Sequence, residues 1–280
     1  MAQKTLQGKV ALVTGASSGM GRGIALGLAN QGVAIICCDL KPEANPEGFE
    51  KDLQTTTVDV ILAQGGQAVF FKVDISIMSD IEKAFSEGIA KLTREPLQKF
   101  GRLDIVVNCA GYWAPFRKFA VEDDDLWQKM ANVNLLGTSK CNRLAIQQFL
   151  KQEVDEEWGS RGKIVNVSSC AGSIAFPYEV AYSATKAAIN HMTRAGALDH
   201  AQDSININCI APGVVATGMA RKNFEDGDII KHMKKATPWP RLGTVEDIAG
   251  TALFLCSKQS SWLTGQVFAV DGGMTLGVPP

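Results

Sequence analysis

Seven short apolar runs, separated by longer segments of helical periodicity, constrain the fold of this 280-residue chain more than any other feature. Each run is apolar almost throughout and does not alternate with polar residues, which is typical of strands covered on both faces. The runs are KVALVT (9–14), VAIICCD (33–39), QAVFFKVD (67–74), LDIVVN (103–108), KIVNVS (163–168), INCIAP (207–212) and QVFAVD (266–271). This alternation predicts an α/β fold with a doubly wound parallel sheet of about seven strands and helices on both faces.

Helix candidates fill the intervals between the runs. They span residues 20–31, about 50–64, 79–92, about 123–152, 180–201 and 244–257. Residues 41–48, KPEANPEG, carry two prolines and a glycine and are predicted to form a loop. Because the composition does not shift along the chain and no repeat of 20–50 residues is present, we expect one domain over residues 1–280.

The charge balance and composition exclude several classes of function. With 28 basic and 29 acidic residues, the chain lacks the basic surface that holds a nucleic-acid backbone. No apolar run approaches the roughly 18 residues of a membrane span, and the N-terminus lacks the apolar region of a signal peptide. The three histidines have no ligand spacing, so we expect no metal site. The seven cysteines form no Cys-x-x-Cys pair, which favours buried free thiols and a reducing, cytoplasmic location.

The first apolar run ends in a glycine-rich turn that leads directly into a helical pattern. In TGASSGMGRG (14–23), Gly15, Gly19 and Gly21 have the spacing G-x-x-x-G-x-G. Such a turn between a strand and a helix lets backbone N–H groups and the helix N-terminus approach a pyrophosphate. The place of this turn after the first strand predicts a dinucleotide site.

An acidic residue closes the second run, where a dinucleotide site requires one. The Asp39 carboxylate can accept hydrogen bonds from the ribose hydroxyls of NAD and would repel the extra phosphate of NADP. No basic residue stands at Ser17 or Ser18 to bind that phosphate, although Lys41 and Arg22 are close in sequence. An aspartate that simply ends a strand is the other interpretation. We predict NAD, with NADP as the alternative.

A tyrosine and a lysine stand four residues apart in AYSATKAAIN (181–190). This spacing puts Tyr182 and Lys186 on one face of a helix. A nearby ammonium group favours the phenolate, which lowers the phenol pKa from its ordinary value near 10 and makes a usable general acid or base. Taken alone, such a pair is more often surface packing, so its function depends on the rest of the chain.

Six motifs follow one another in order along the chain. They are TGASSGMG (14–21), NCAG (108–111), the asparagine of NVNLLG (132–137), SS (168–169), YSATK (182–186) and PG (212–213). With these motifs the sequence resembles the short-chain dehydrogenase/reductase family over nearly its whole length. The resemblance implies a Rossmann fold, an oxidoreductase that acts on CH–OH groups with a nicotinamide cofactor, and a homotetramer that associates through the helices at about 123–152 and 180–201.

The resemblance implies catalytic roles for four residues. Tyr182 matches the family's general acid/base, and Lys186 matches the residue that lowers the tyrosine pKa and holds the nicotinamide ribose. Ser169 matches the serine that hydrogen-bonds the substrate carbonyl, with Ser168 as the alternative if the register shifts by one. Asn134 matches the asparagine that holds a water in a proton relay.

Cofactor contacts are implied along the same motifs. Asp74 resembles the acid that contacts the adenine, although turn chemistry alone also favours an acid after a strand. Cys109 replaces the second asparagine of the family's NNAG stretch, which we expect to alter packing more than binding. The implied cofactor-binding residues are Gly15, Ser17, Ser18, Gly19, Met20, Gly21, Asp39, Asp74, Ile75, Asn108, Ala110, Gly111, Tyr182, Lys186, Pro212, Gly213, Val215 and Thr217.

The substrate is less constrained than the cofactor. Family substrates lie under the variable segment after the PG turn, here residues 218–240, which predicts a lid; a solvated surface helix is the alternative. Aromatic residues in YWAPF (112–116) and SIAFPYE (173–179), together with Trp239, favour an apolar or cyclic substrate. We expect NAD(P)-dependent interconversion of a secondary alcohol and a ketone. A protein of this fold with a non-redox or cofactor-sensing role is the alternative.

Overall fold

The computed structural model of the chain describes residues 5–92 and 102–277. Its strands are β1 (Val10–Thr14), β2 (Ala34–Asp39), β3 (Ala68–Lys72), β4 (Ile105–Asn108), β5 (Gly162–Val167), β6 (Ile205–Pro212) and β7 (Val267–Val270). They form one sheet in the order β3-β2-β1-β4-β5-β6-β7, and every neighbouring pair is parallel. All seven predicted strands are present, so the predicted sheet is confirmed.

Helices cover both faces of this sheet. The α-helices are α1 (Gly19–Asn30), α2 (Thr57–Ala63), α3 (Met78–Leu92), α4 (Asp124–Met130), α5 (Thr138–Phe149), α6 (Val180–His200), α7 (Arg221–Glu225), α8 (Gly227–Ala236) and α9 (Val245–Leu255). One buried cluster joins α1 and α9 to the sheet, with Ile24 and Ile248 at its centre. A second cluster joins α3 and α5 to the other face through Phe85 and Phe149. These two clusters explain why the strands are apolar throughout.

The strand order reverses between β1 and β4, and this reversal positions the site. From β1 the chain proceeds outward to β2 and β3, then returns to place β4 on the opposite side of β1. Crossovers that run in opposite directions leave a crevice at the carboxyl ends of β1 and β4. The glycine-rich turn after β1 and the NCAG motif after β4 both open into this crevice.

The second predicted helix begins later than the sequence pattern indicated. We predicted a helix from about residue 50, but α2 begins at Thr57. The Thr56 side chain accepts a hydrogen bond from the Asp59 N–H at 3.1 Å and so caps the N-terminus of α2. Residues 41–52, which we call the strap, instead lie across the glycine-rich turn. Local helical periodicity therefore misassigned residues 50–52 of the strap, while the predicted loop over residues 41–48 was correct.

The predicted long helix at about 123–152 is interrupted. α4 and α5 are joined by a π-helical stretch, Ala131–Gly137. Asn134 lies at the centre of this stretch, and its carbonyl accepts a hydrogen bond from the Thr138 hydroxyl at 2.7 Å. Stretches of π-helix occur often at functional sites, because the wider turn changes the direction in which a side chain points.

All seven cysteines are free, and six of them are buried, which confirms the predicted buried thiols. Over residues 5–92 and 102–277, no helix combines the length and apolar character that crossing a membrane requires. In the same two ranges, no three His, Cys, Asp or Glu side chains are grouped so that they could hold a metal ion.

Candidate active site

The glycine-rich turn after β1 is built from glycines that no other residue could replace. Gly15 and Gly19 have φ values of +69° and +54°, in the left-handed region. A Cβ on Gly21 would lie 2.0 Å from the Gly15 carbonyl oxygen, so the first turn of α1 packs directly on the loop. The N-terminus of α1 therefore lies at the crevice, and its first residues line the cleft described next.

A cleft of about 790 Å³ follows this turn along the carboxyl ends of β1, β2 and β4. The volume falls within the range of small-molecule sites. Twelve of the predicted cofactor-binding residues line it: Gly15, Ser17, Ser18, Gly19, Met20, Gly21, Asp39, Asp74, Ile75, Ala110, Gly111 and Thr217. Six do not: Asn108, Tyr182, Lys186, Pro212, Gly213 and Val215.

Asp39 stands at the edge of this cleft and is held by two backbone groups. Its Oδ2 accepts a hydrogen bond from the Ser17 N–H at 3.0 Å, and its Oδ1 accepts one from the Leu40 N–H at 2.8 Å. Arg22, one of the two basic residues near this position in sequence, is buried and donates to Asp52 at 2.8 Å. Lys41 remains on the lining of the cleft.

The strap crosses the N-terminus of α1. The Gly19 N–H donates to Glu50 Oε1 at 2.5 Å, and the Asn45 N–H donates to Ser18 Oγ at 2.6 Å. Glu50 Oε2 is buried and has no hydrogen-bond partner in the described part of the chain. The N–H groups at a helix N-terminus can bind an anion, and the Glu50 carboxylate already accepts a hydrogen bond from one of them.

The other side of the strap contacts the predicted lid. Arg221 donates to the carbonyl oxygens of Glu47 and Gly48 at 2.8 and 2.6 Å, and its guanidinium lies 3.8 Å from the ring centroid of Phe49. Phe49 in turn packs against Phe224, with ring centroids 5.5 Å apart. The sequence predicted only a loop at residues 41–48. The contact with Arg221 could not be predicted, because Arg221 and Glu47 are 174 residues apart and no local pattern links them.

These residues fit a dinucleotide. The turn with its three glycines, the N-terminus of α1 and the carboxylate at the end of β2 are the groups that such a ligand requires. Glu50 is the exception, because its carboxylate holds an N–H that the pyrophosphate would use. The strap would have to release that N–H when a dinucleotide binds.

Three of the predicted catalytic residues meet at the start of α6. Lys186 Nζ lies 5.6 Å from the Tyr182 ring centroid and donates to the Val167 carbonyl at 3.0 Å. The Ser169 hydroxyl lies beside the Tyr182 phenol, whose pKa it lowers, and accepts a hydrogen bond from the Ala171 N–H at 3.2 Å. Ser168, the alternative serine, is buried and donates to the Lys186 carbonyl at 2.8 Å. Of the two serines, Ser169 is therefore the one beside the phenol.

The pKa of Tyr182 differs from the sequence prediction. Burial raises this pKa above its ordinary value, the Glu179 charge raises it further, and the hydrogen bond from Ser169 acts in the opposite direction. Burial also lowers the pKa of Lys186. The lowering of the phenol pKa that we predicted from Lys186 is absent here, because desolvation disfavours both charged forms.

Asn134 connects the loop after β4 to α6. Its Oδ1 accepts from the Tyr112 N–H at 2.7 Å, and its Nδ2 donates to the Tyr112 carbonyl at 2.9 Å and to Thr185 Oγ1 at 3.2 Å. Gly111 lies beside it: a Cβ there would be 3.5 Å from Asn134 Oδ1 and 3.6 Å from Lys186 Nζ. The end of the cleft thus meets the Tyr182 region at Gly111.

The remaining predicted residues lie behind the cleft. Asn108 turns its side chain into the sheet, where Nδ2 donates to Asn142 Oδ1 at 2.7 Å and to Asn166 Oδ1 at 2.9 Å. Gly213 donates its N–H to the Val270 carbonyl at 3.0 Å and continues the β6–β7 ladder. Pro212 ends β6, and Val215 pairs with Gly243.

Sequence reasoning missed an acidic residue beside Tyr182. Glu179 Oε2 accepts a hydrogen bond from the Trp113 indole N–H at 3.1 Å. Burial raises the pKa of Glu179 from its ordinary value to about 7. An acid three residues before the tyrosine was the available signal, but an acid at a helix start is ordinarily a cap, so the signal was ambiguous.

Known proteins resemble this chain in both sequence and structure. A family model described as enoyl-(acyl carrier protein) reductase matches residues 15–275. Glucose 1-dehydrogenase 2 from Bacillus subtilis (strain 168) is 33% identical over 276 residues, which are 98% of this chain and 97% of that protein. A short-chain type dehydrogenase/reductase from Mycobacterium ulcerans superposes with a TM-score of 0.84 at 29% identity, covering 99% of this chain and 93% of that one. The chain belongs to the short-chain dehydrogenase/reductase family.

Membership of the short-chain dehydrogenase/reductase family makes the chain an oxidoreductase of a family that uses nicotinamide cofactors and binds small-molecule substrates. A further solved structure, from Agrobacterium tumefaciens and provisionally named a 2-deoxy-D-gluconate 3-dehydrogenase, contains bound NADP. It superposes with a TM-score of 0.80 at 28% identity, covering 99% of this chain and all of that one.

Proposed function

We propose that the protein interconverts a secondary alcohol and a ketone, with Tyr182 as the general acid/base. The observation that carries this proposal is the meeting of Tyr182, Ser169 and Lys186 next to Gly111, a residue that lines a cleft suited to a dinucleotide. A bound nicotinamide supplies hydride acceptance or donation, which no side chain can provide. In oxidation the alcohol loses a hydride, with its electron pair, from carbon and a proton from oxygen.

The chain's own residues handle that proton and hold the oxygen. In oxidation the deprotonated Tyr182 takes the hydroxyl proton, and in reduction its phenol returns one, while the Ser169 hydroxyl binds the same substrate oxygen. Lys186 lies behind the phenol and holds the cofactor ribose, while Asn134 fixes the adjoining loop and holds a water for proton relay. General acid/base catalysis of this kind contributes about 10²- to 10⁴-fold in rate.

We propose NAD as the preferred cofactor. The Asp39 carboxylate at the cleft edge suits two ribose hydroxyls and disfavours a phosphate. Arg22, buried and paired with Asp52, is not free to neutralise a phosphate. Lys41 lines the cleft and favours the alternative, NADP, which the Agrobacterium tumefaciens relative binds.

We propose that residues 218–240 act as a lid within a single domain of residues 1–280, and that the substrate is cyclic with apolar faces. α8 carries no buried residue, as a movable cover would. Trp113 and Phe116 pack edge to face, with centroids 5.1 Å apart, near the start of α6. An aromatic wall of this kind favours a ring over a short open chain.

We also propose a homotetramer and a cytoplasmic location. Large apolar side chains stand exposed in the described residues, among them Trp262 at 98% and Leu198 at 81%. Leu198 lies on α6, one of the two helices through which the family's resemblance predicts association. The seven free thiols suit a reducing compartment.

A nicotinamide absorbance assay tests the proposed reaction. The purified protein is supplied with NAD and a panel of cyclic secondary alcohols, and in the reverse direction with NADH and the matching cyclic ketones. We expect oxidation of at least part of the panel, and slower oxidation with NADP. Tight NAD binding without hydride transfer to or from any member of the panel would contradict the proposal and favour a non-redox role.

A further inference from the structure

Glu179 precedes α6, but its side chain does not cap that helix. A short polar side chain at this position often accepts a hydrogen bond from the first helical turn. Glu179 makes no such bond. Glu122 supplies it from the other side, with Oε2 accepting from the Ala181 N–H at 3.2 Å. The Glu179 carboxylate is therefore left for a different use.

The turn before α6 holds Glu179 in place at a conformational cost. Tyr178 has a φ of +70°, in the left-handed region that side chains other than glycine rarely adopt. Its carbonyl accepts a hydrogen bond from the Arg117 N–H at 2.9 Å, and Trp113 binds Glu179 Oε2 at 3.1 Å. Strained backbone of this kind persists where the surroundings fix it, and it is concentrated at functional positions.

One oxygen of Glu179 remains available to a ligand. Among residues 5–92 and 102–277, only Oε2 of Glu179 accepts a hydrogen bond, so Oε1 is left unpaired there. Glu179 precedes Tyr182 by three residues at the start of α6, about one helical turn, and its charge raises the pKa of Tyr182, so the carboxylate lies on the side of the reacting phenol. A partly buried carboxylate on this side of the phenol, with one oxygen unpaired, can accept a hydrogen bond from a substrate.

The surroundings of this acceptor are apolar. Tyr112 and Tyr182 pack on a cluster that includes Leu126 and Met130. Trp113, which holds Glu179, contributes an aromatic face to the same region. An acceptor placed among apolar groups selects ligands that combine an apolar face with a hydroxyl group, because a hydroxyl left without a partner there is costly.

We infer that Glu179, oriented by Trp113, binds a second hydroxyl group of the substrate next to the carbon that reacts, so that the substrate class is a cyclic alcohol with two or more hydroxyls. This inference rests on the proposed function. During oxidation the first hydroxyl gives its proton to Tyr182 and its carbon gives a hydride to the nicotinamide. The second hydroxyl keeps its proton and is unchanged. Glu179 is thus a specificity residue, and the proton transfer stays with Tyr182.

Two probes separate the second hydroxyl from the ring. trans-Cyclohexane-1,2-diol carries it, and cyclohexanol does not. Binding of each is measured by calorimetry with the protein saturated with NADH, a state in which neither alcohol is oxidised. Oxidation of each with NAD is then followed separately as kcat and KM. Glu179→Gln removes the charge but keeps the size and an acceptor for Trp113, and Glu122→Gln is the matched control at the same helix start.

We expect the wild type to bind the diol about tenfold more tightly than cyclohexanol, and Glu179→Gln to remove most of that difference. The loss of kcat/KM for the diol should arise mainly in KM, while cyclohexanol changes by less than about threefold. Glu122→Gln should keep the discrimination, and circular dichroism should show that both variants are folded.

The proposal would be overturned by equal binding of the two alcohols to the wild type, or by discrimination that survives Glu179→Gln. It would also fail if Glu122→Gln removed the discrimination equally, since the effect would then be a general one of the helix start. Diol binding that depends on Glu179 without any hydride transfer would uphold this inference and refute the proposed function alone.

Discussion

At the residue scale, the Glu179 carboxyl and the Tyr182 phenol share one buried environment, and both their pKa values are raised by it. Burial favours the neutral form of each acid. The Glu179 charge, when present, also makes the phenolate less favourable. The two acids are therefore coupled, and the protonation state of Glu179 changes near pH 7, where the enzyme is expected to work.

The raised pKa of Glu179 predicts a pH-dependent effect on stability. Its folded pKa of about 7 lies above the unfolded value near 4.3, so its stabilising contribution is complete below about pH 4.3 and is lost as pH rises through 7. We expect the free energy of unfolding of the wild type, relative to Glu179→Gln, to fall by about 2–3 kcal/mol from pH 5 to pH 8. Urea unfolding of both proteins at the two pH values measures this change. A difference independent of pH would contradict it.

The charge of Asp39 is expected to determine the preference between NAD and NADP. Replacing Asp39 by Ser removes the negative charge at the cleft edge and leaves Lys41 in place. We expect Asp39→Ser to weaken NAD binding and to strengthen NADP binding, changing the ratio of the two dissociation constants by about tenfold or more. Fluorescence titration with NADH and NADPH measures both, with Lys41→Ala as the control. An unchanged ratio would mean that another group selects the cofactor.

The residue-level prediction succeeded where a motif fixes the spacing and stopped where contacts are long-range. Tyr182 and Lys186 share one helix, so their proximity follows from four residues of sequence. The choice between Ser168 and Ser169 required the structure, because a shift of one residue turns the side chain to the other side. Glu179 and Trp113 are 66 residues apart, and no local pattern links them.

At the scale of elements, the strap connects the anion site of α1 to the lid. It bonds the glycine-rich turn through Glu50 and Asn45 and the lid through Arg221. A dinucleotide that displaces Glu50 would therefore move a segment that also contacts α7. This arrangement links the cofactor cleft to the cover of the substrate region through one continuous stretch of chain.

Glu50 is expected to compete with the cofactor. Its carboxylate and a pyrophosphate are both anions that use the Gly19 N–H. Removing the charge in Glu50→Gln should tighten NADH binding by about three- to fivefold, the size of a typical charge effect at a helix N-terminus. NADH fluorescence titration measures the dissociation constant. Glu47→Gln is the matched control, since only the backbone carbonyl of Glu47 contacts Arg221. Unchanged or weaker binding in Glu50→Gln would refute the competition.

The elements themselves were predictable to different degrees. All seven strands follow from continuous apolar runs, because burial on both faces demands such runs. α2 was placed too early, since contacts of the strap with α1 override its local helical pattern. The π-helical stretch around Asn134 has no signal in a single sequence, because its apolar periodicity is that of an ordinary helix.

At the scale of the whole molecule, the exposed apolar residues predict assembly. Trp262 is 98% exposed. Burying its indole ring against another subunit would be favourable in proportion to the apolar area removed from water. We expect sedimentation of the wild type to give about four times the 30.0 kDa chain mass, and Trp262→Glu to give smaller species. Leu62→Glu, on the exposed side of α2, is the control and should leave the mass unchanged. A wild-type monomer at micromolar concentration would contradict the predicted tetramer.

The doubly wound order of the sheet also belongs to this scale. The alternation of strands and helices predicts a doubly wound parallel sheet, and the order seen in the structure leaves the crevice at the carboxyl ends of β1 and β4. The substrate is not predictable in this way. It depends on loops such as 112–117 and 176–179, whose mutual contacts the strand order does not determine.

Replacement of Tyr182 by Phe tests the central claim most directly. The change removes only the phenol oxygen, so NADH binding, measured by fluorescence titration, should stay within about threefold of the wild type. Turnover of any alcohol that the wild type oxidises should fall by about 10²- to 10⁴-fold, the usual contribution of a general acid/base. Unimpaired turnover by Tyr182→Phe, with the same pH profile as the wild type, would contradict the proposed mechanism.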